Sequence, residues 1–81
     1  QFATIEQKLA VYLLEQMQRQ GGATIEIPHT KQQLSEIFGV TRPALSRVFA
    51  TMSEEGVLEY GSHWVRIVDR PTLASILEEL E

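Results

Sequence analysis

The chain has 81 residues, of which 43% are apolar, enough for one small domain with a single core. It has no cysteine, which excludes disulfide staples and thiol chemistry and fits a reducing compartment such as the cytoplasm. No apolar run approaches the roughly 18–20 residues of a membrane span, and the net charge of −4 argues against indiscriminate binding to nucleic acid.

In chain order, residues 2–20 read as a long helix, opened by Thr4 with Gln7 three places on as a capping-box partner. Ile5, Leu9, Tyr12, Leu13 and Met17 make one stripe, which Ala10, Val11 and Leu14 widen. The plain reading is a helix buried by the rest of the domain; the sharper one adds a neighbouring domain or second subunit against part of that face. Gly21 and Gly22 end this helix. Residues 24–27 are β-prone, with Ile25 and Ile27 on one side, and Pro28 closes them.

A second helix should start after Thr30, a fit N-cap whose box is completed by Gln33. Leu34, Ile37 and Phe38 have inward helical spacing, and Ser35 is small enough to let another helix pass. Gly39 marks a bend, because glycine reaches positive φ at little steric cost, and Val40 plugs the turn. A third helix starts near Thr41, with Pro43 in its first turn where a missing N–H does no harm. Arg42 precedes proline and is pressed away from α geometry, so it competes with Thr41 as the boundary. Leu45, Val48, Phe49 and Met52 go inward, while Arg42, Pro43, Ser46, Arg47 and Ala50 go outward. Gly56 is the expected C′ residue of this helix. Two strands follow, at 57–60 and 63–68, joined by Gly61-Ser62, a pair that suits a type II′ turn. Asp69 can cap a last helix in which Leu73, Ile76, Leu77 and Leu80 recur at helical spacing.

This order predicts an α+β, mostly helical fold, a winged helix-turn-helix. The helix-turn-helix covers about residues 30–55, the recognition helix about 42–55 and an antiparallel hairpin wing about 57–68. Charge is distributed to match. Residues 29–50 hold Lys31, Arg42 and Arg47 against Glu36, a net +2, whereas residues 1–28 carry −1 and residues 51–81 carry −5. An exposed helix start with two arginines and a serine is what a major-groove reader offers to bases and phosphates. Solvated surface charge is the default reading for each arginine, and it is their shared placement that favours DNA. Thr30 and Lys31 lie at the start of the helix that crosses the backbone, where phosphate contact competes with capping and solvation, and Thr41, the cap of the next helix, is a further DNA-binding candidate. On the wing, Trp64 reads as a packing residue and His63 as a lesser candidate for a phosphate.

The pieces TIEQKLAVYLL, IEIPHTKQQLSEIFGVTR, ALSRVFATMSEEGVL and VRIVDRPTLASIL, in this order, resemble the C-terminal winged-helix domain of the Crp/Fnr family of bacterial transcription regulators. The resemblance covers nearly the whole chain. It implies sequence-specific binding of double-stranded promoter DNA, a homodimer on a two-fold symmetric operator, and RNA polymerase as a further partner. It also implies an N-terminal effector-sensing β-barrel. No such sensor lies in this sequence, which starts at Gln1 and reads as a domain cut from a longer protein. The resemblance gives no cofactor to this domain and leaves the effector open. Arg42, Ser46 and Arg47 match family positions that touch DNA, whereas Pro43 stands where relatives often carry a base-reading glutamate. An enzyme has little to stand on here. His29 and His63 lie in different elements, Ser46 lacks an activating base, and no glycine-rich phosphate loop occurs. The competing reading is a winged helix used for protein–protein interaction.

Overall fold

In the computed structural model, described for residues 4–78, four helices enclose a three-stranded antiparallel sheet. The first helix, α1 (Ile5–Gln20), starts at a complete capping box. Thr4 Oγ1 accepts from the Gln7 amide at 3.1 Å, and Gln7 Oε1 accepts from the Thr4 amide at 2.8 Å. The same reciprocal pair forms between Thr30 and Gln33 at the head of α2 (Lys31–Phe38). Thr41 caps α3 (Arg42–Glu54), its side chain accepting from the Ala44 amide at 3.3 Å. Arg42 and Pro43 are therefore the first two helical residues, and the boundary falls at Thr41. Each of these starts is fixed by a side chain within three residues of the orphan N–H groups it satisfies.

Two glycines end the central helices in the same way. Gly39 has φ 71° and Gly56 has φ 78°, and each is followed by a residue that bonds back across the last turn. Val40 N–H donates to Ser35 O at 2.9 Å, and Val57 N–H donates to Met52 O at 2.9 Å. These are Schellman closures, which require the left-handed conformation at the glycine. They reverse the chain sharply enough to bring α3 across α2 and to start the next strand directly after α3.

The sheet differs from the expected free hairpin. Its strands are β1 (Thr24–Glu26), β2 (Leu58–Tyr60) and β3 (Trp64–Ile67), in the order β1-β3-β2. β1 pairs with β3 (Ile25 opposite Val65), so the wing is anchored to the segment entering the helix-turn-helix. The free edge of β1 is covered from α1. Gln20 accepts from Glu26 N–H at 2.8 Å and donates to Glu26 O at 2.9 Å, so one side-chain amide replaces a neighbouring strand.

The expected type II′ turn at Gly61-Ser62 is not formed, because Gly61 lacks a positive φ. Its N–H donates to Trp64 O at 3.0 Å, which leaves Ser62 and His63 as the two residues of the turn. Glycine is needed here for space. A Cβ at Gly61 would lie 2.1 Å from Trp64 Nε1, on the indole itself. Gly61→Ala should therefore expel the indole at a cost of roughly 1–3 kcal/mol. A red-shifted Trp64 emission with a lower melting temperature would show it, and an unchanged spectrum would not agree.

The core is built from Leu9, Leu13, Ile25, Leu34, Leu45, Phe49, Met52, Val65 and Leu73, with Leu58 and Ala10 fully enclosed beside them. Burial of Ala10 and packing of Leu14 account for much of the wide apolar face of α1 without a second molecule. Ser35 is buried where α2 meets α3, its hydroxyl bonded to Gln32 O at 2.7 Å. Ile37 departs from expectation and is 58% exposed. On so short a helix, Leu34 and Phe38 stack at i and i+4 toward the core, and Ile37 falls to the side, over a shallow groove shared with Val11. Phe2 and Leu80, read as helical from the sequence, lie outside the described residues.

The last helix, α4 (Arg70–Glu78), packs on α1. Asp69 caps it: Thr72 N–H donates to Asp69 Oδ1 at 3.2 Å and the Thr72 hydroxyl donates to Oδ2 at 2.7 Å. These bonds hold the Asp69 carboxyl below its ordinary range. A depressed carboxylate contributes stability above its unfolded value and loses it as pH falls through the folded one. The Thr72 amide shift should therefore titrate with acid as α4 loosens. The Asp69→Asn variant should abolish that titration, and its persistence would assign the transition to another group.

Candidate nucleic-acid interface

The outer face of α3 starts at the Thr41 cap and carries Arg42, Pro43, Ser46 and Arg47 at helical spacings that place them together. Thr41, Arg42, Pro43 and Arg47 are exposed, and Ser46 is half-buried at the edge of the face. Among the described residues, neither arginine has an ion-pair partner; the one salt bridge found joins Arg66 to Glu59 across β3 and β2, at 2.6 Å. Both guanidinium groups therefore stand ready for an external anion or base edge.

α3 does not stand alone. A small cleft of about 180 Å³ is lined by Thr30 and Lys31 at the head of α2, Arg42 on α3, and Ser62 and His63 at the wing tip. Residues from three elements thus converge on one surface. Two contacts set the angle of α2 beneath it. Lys8 Nζ on α1 donates to Phe38 O at 2.8 Å, at the carbonyl end of α2 where a cation is favoured. The Tyr12 hydroxyl lies 3.1 Å from His29 Nδ1, and its ring meets Phe38 edge-on at 5.9 Å. Burial raises the Tyr12 phenol above its ordinary value.

Lys31 is placed less freely than its sequence position suggests. Its Nζ is 3.5 Å from Gly61 O and lies over the Phe49 and Tyr60 rings, 5.0 and 4.9 Å from their centroids. Burial, and secondarily the nearby Arg42 charge, push its amine below the ordinary lysine range. Trp64 is part packing residue and part surface. It covers Gly61 while remaining 41% exposed. The sequence reading missed Ser62 and the Gly61 carbonyl in this neighbourhood. The only local signal was a glycine three residues before a tryptophan at a tight turn.

A wider concavity of about 790 Å³ lies on the other side of the wing tip, between α1, β1 and the wing, lined by Gln16, Gln20, Trp64 and His63 among others, and shares His63 with the cleft. A groove-reading helix is convex and inserts itself, so the size of a concavity does not locate it. No helix among the described residues is long and apolar enough to cross a membrane.

The family model for the Crp-like helix-turn-helix domain matches residues 7–76. The chain belongs to this family. Its solved structural relatives are Crp/Fnr-type transcription regulators. The catabolite activator protein of Thermus thermophilus is 29% identical, with a TM-score of 0.72, over 95% of this chain and 35% of that one. The CO-dependent transcription factor CooA of Carboxydothermus hydrogenoformans has a TM-score of 0.80 at 18% identity, over 89% of this chain and 36% of its own. FixK2 of Bradyrhizobium japonicum has a TM-score of 0.79 at 21% identity, over 90% and 38%. No curated protein matches the chain. The Crp-like domain thus spans little more than a third of the length of these structural relatives. Membership makes it a domain of the DNA-binding helix-turn-helix type found in transcription regulators.

Proposed function

We propose that the Crp-like domain binds promoter DNA sequence-specifically, with α3 in the major groove, as one half of a homodimer on a two-fold symmetric operator. The observation that carries this reading is the unpaired face of Arg42, Pro43, Ser46 and Arg47, continuous with Thr30, Lys31 and the wing tip. In this reading Arg47 meets a guanine edge, Arg42 and Ser46 meet a base edge or phosphate, and Thr30 and Thr41 set the helix starts close to the backbone. Pro43 excludes water and can touch a thymine methyl, but it cannot accept from a cytosine amine as a glutamate could. The half-site should therefore tolerate thymine at the base pair facing Pro43.

Residues 1–81 act in this account as the output unit of a longer regulator, in the cytoplasm, with an N-terminal sensor supplying the signal and RNA polymerase receiving it. The alternative of a protein-docking face has less support on α3, whose exposed turns offer arginine, proline and small residues rather than leucine or aromatic anchors.

The test is to tether two copies covalently and titrate a palindromic duplex. Tethering makes the second contact intramolecular, so affinity should rise by roughly 10²–10⁴-fold over the free domain, with a steep loss as salt increases. Equal affinities for tethered and free forms would remove the dimer from the account. A flat salt response would favour the protein-docking reading.

A further inference from the structure

We infer that Lys31 is a positioning residue that seats the wing against the reading helix: its ammonium group joins the Gly61 carbonyl at the wing tip to the Phe49 ring of α3 and the Tyr60 ring of β2. The inference rests on the DNA-binding reading in one respect, that the wing tip has a place against DNA. The head of a second helix is ordinarily read as a phosphate contact; here the side chain borders the cleft but its ammonium group reaches the wing-tip carbonyl and the two rings. Both rings lie within the roughly 6 Å at which a cation is attracted to an aromatic face. The void at this joint, lined by Lys31, Leu34, Phe49, Gly61 and Trp64 among others, is only about 10 Å³. That is at or below the room one water needs, so the inner side of this joint is closely packed, while Lys31 also borders the open cleft with Arg42, Ser62 and His63. Gly61 is also the residue on which the Trp64 indole rests, so the same residue meets both Lys31 and Trp64. Arg42, at the head of α3, stands close enough to perturb the Lys31 amine. Lys31 thus links the wing tip to α3 through the Gly61 carbonyl and the Phe49 ring, and its effect on binding passes through Ser62 and His63.

Trp64 is the sole tryptophan and reports on this joint without DNA. In the free domain, Lys31→Ala and Lys31→Met should both increase acrylamide quenching of Trp64 at temperatures well below unfolding. Lys31→Arg, which keeps a cation and donors, should restore the native value. With DNA, the loss caused by His63→Ala should shrink in the Lys31→Ala background, because a loosened wing has already lost that contact. A plain phosphate contact gives another pattern: unchanged Trp64 quenching, additive losses, and a salt slope lower by about 0.9. Unchanged quenching in Lys31→Ala overturns the proposal whatever the DNA result. Full restoration by methionine overturns the role of the ammonium group. If the native domain binds no duplex at all, the DNA-binding reading fails, and the quenching series still decides whether Lys31 holds the wing.

Discussion

Leu45→Ala should leave much of the protein unfolded at room temperature. Leu45 is fully enclosed on the inner face of α3, in the same cluster as Leu9, Leu13, Leu34 and Leu73. Truncating a buried leucine costs about 2–5 kcal/mol, part lost transfer energy and part the cavity left behind. An 81-residue chain with no disulfide has a reserve of only a few kcal/mol to absorb that loss. Ser46→Ala, one residue along and on the other side of the helix, should change stability by no more than about 0.5 kcal/mol. Urea midpoints of the two variants make the comparison. A Leu45→Ala midpoint close to native would mean that α3 is not seated by this residue.

The second large effect concerns binding with the fold intact. Arg47→Ala removes an exposed side chain with no ion-pair partner among the described residues, so its melting temperature should stay native. Its affinity for the preferred duplex should drop by about 1–3 kcal/mol, with preference relaxed at one base pair of the half-site. Fluorescence anisotropy with matched and single-mismatch duplexes gives both quantities. A uniform loss on all duplexes, with discrimination retained, would move Arg47 from base reading to phosphate anchoring.

These two neighbours on one helix show what the sequence made legible and what it did not. The helix starts were readable because both capping boxes, Thr4 with Gln7 and Thr30 with Gln33, close within three residues. The bends at Gly39 and Gly56 were readable for the same reason, since glycine itself permits the left-handed turn. The outer face of α3 followed from helical periodicity alone.

Contacts across long stretches of chain were not legible. Nothing local to residues 24–26 states that they pair with residues 64–66, on the far side of the helix-turn-helix. Lys8 meets Phe38 and Lys31 meets Gly61 across thirty residues in each case. For the same reason Lys31 looked like an exposed charge when read from its helix alone. Ile37 fitted the periodicity of an inward residue, but a helix of eight residues has too few turns to bury every apolar side chain along its edge. Gly61 read as a turn residue, but it stands just before the two turn residues, and its need is room for the indole of Trp64.

The central claim, that the face from Arg42 to Arg47 reads sequence in the major groove, is tested most directly by selection from randomised duplexes using the tethered pair. Two inverted half-sites centred about one helical turn, 10–10.5 base pairs, apart should be enriched. Each half-site should contain a fixed guanine and a thymine-tolerant position beside it. Recovery of a pool with no shared sequence, at any salt concentration that permits binding, would contradict it.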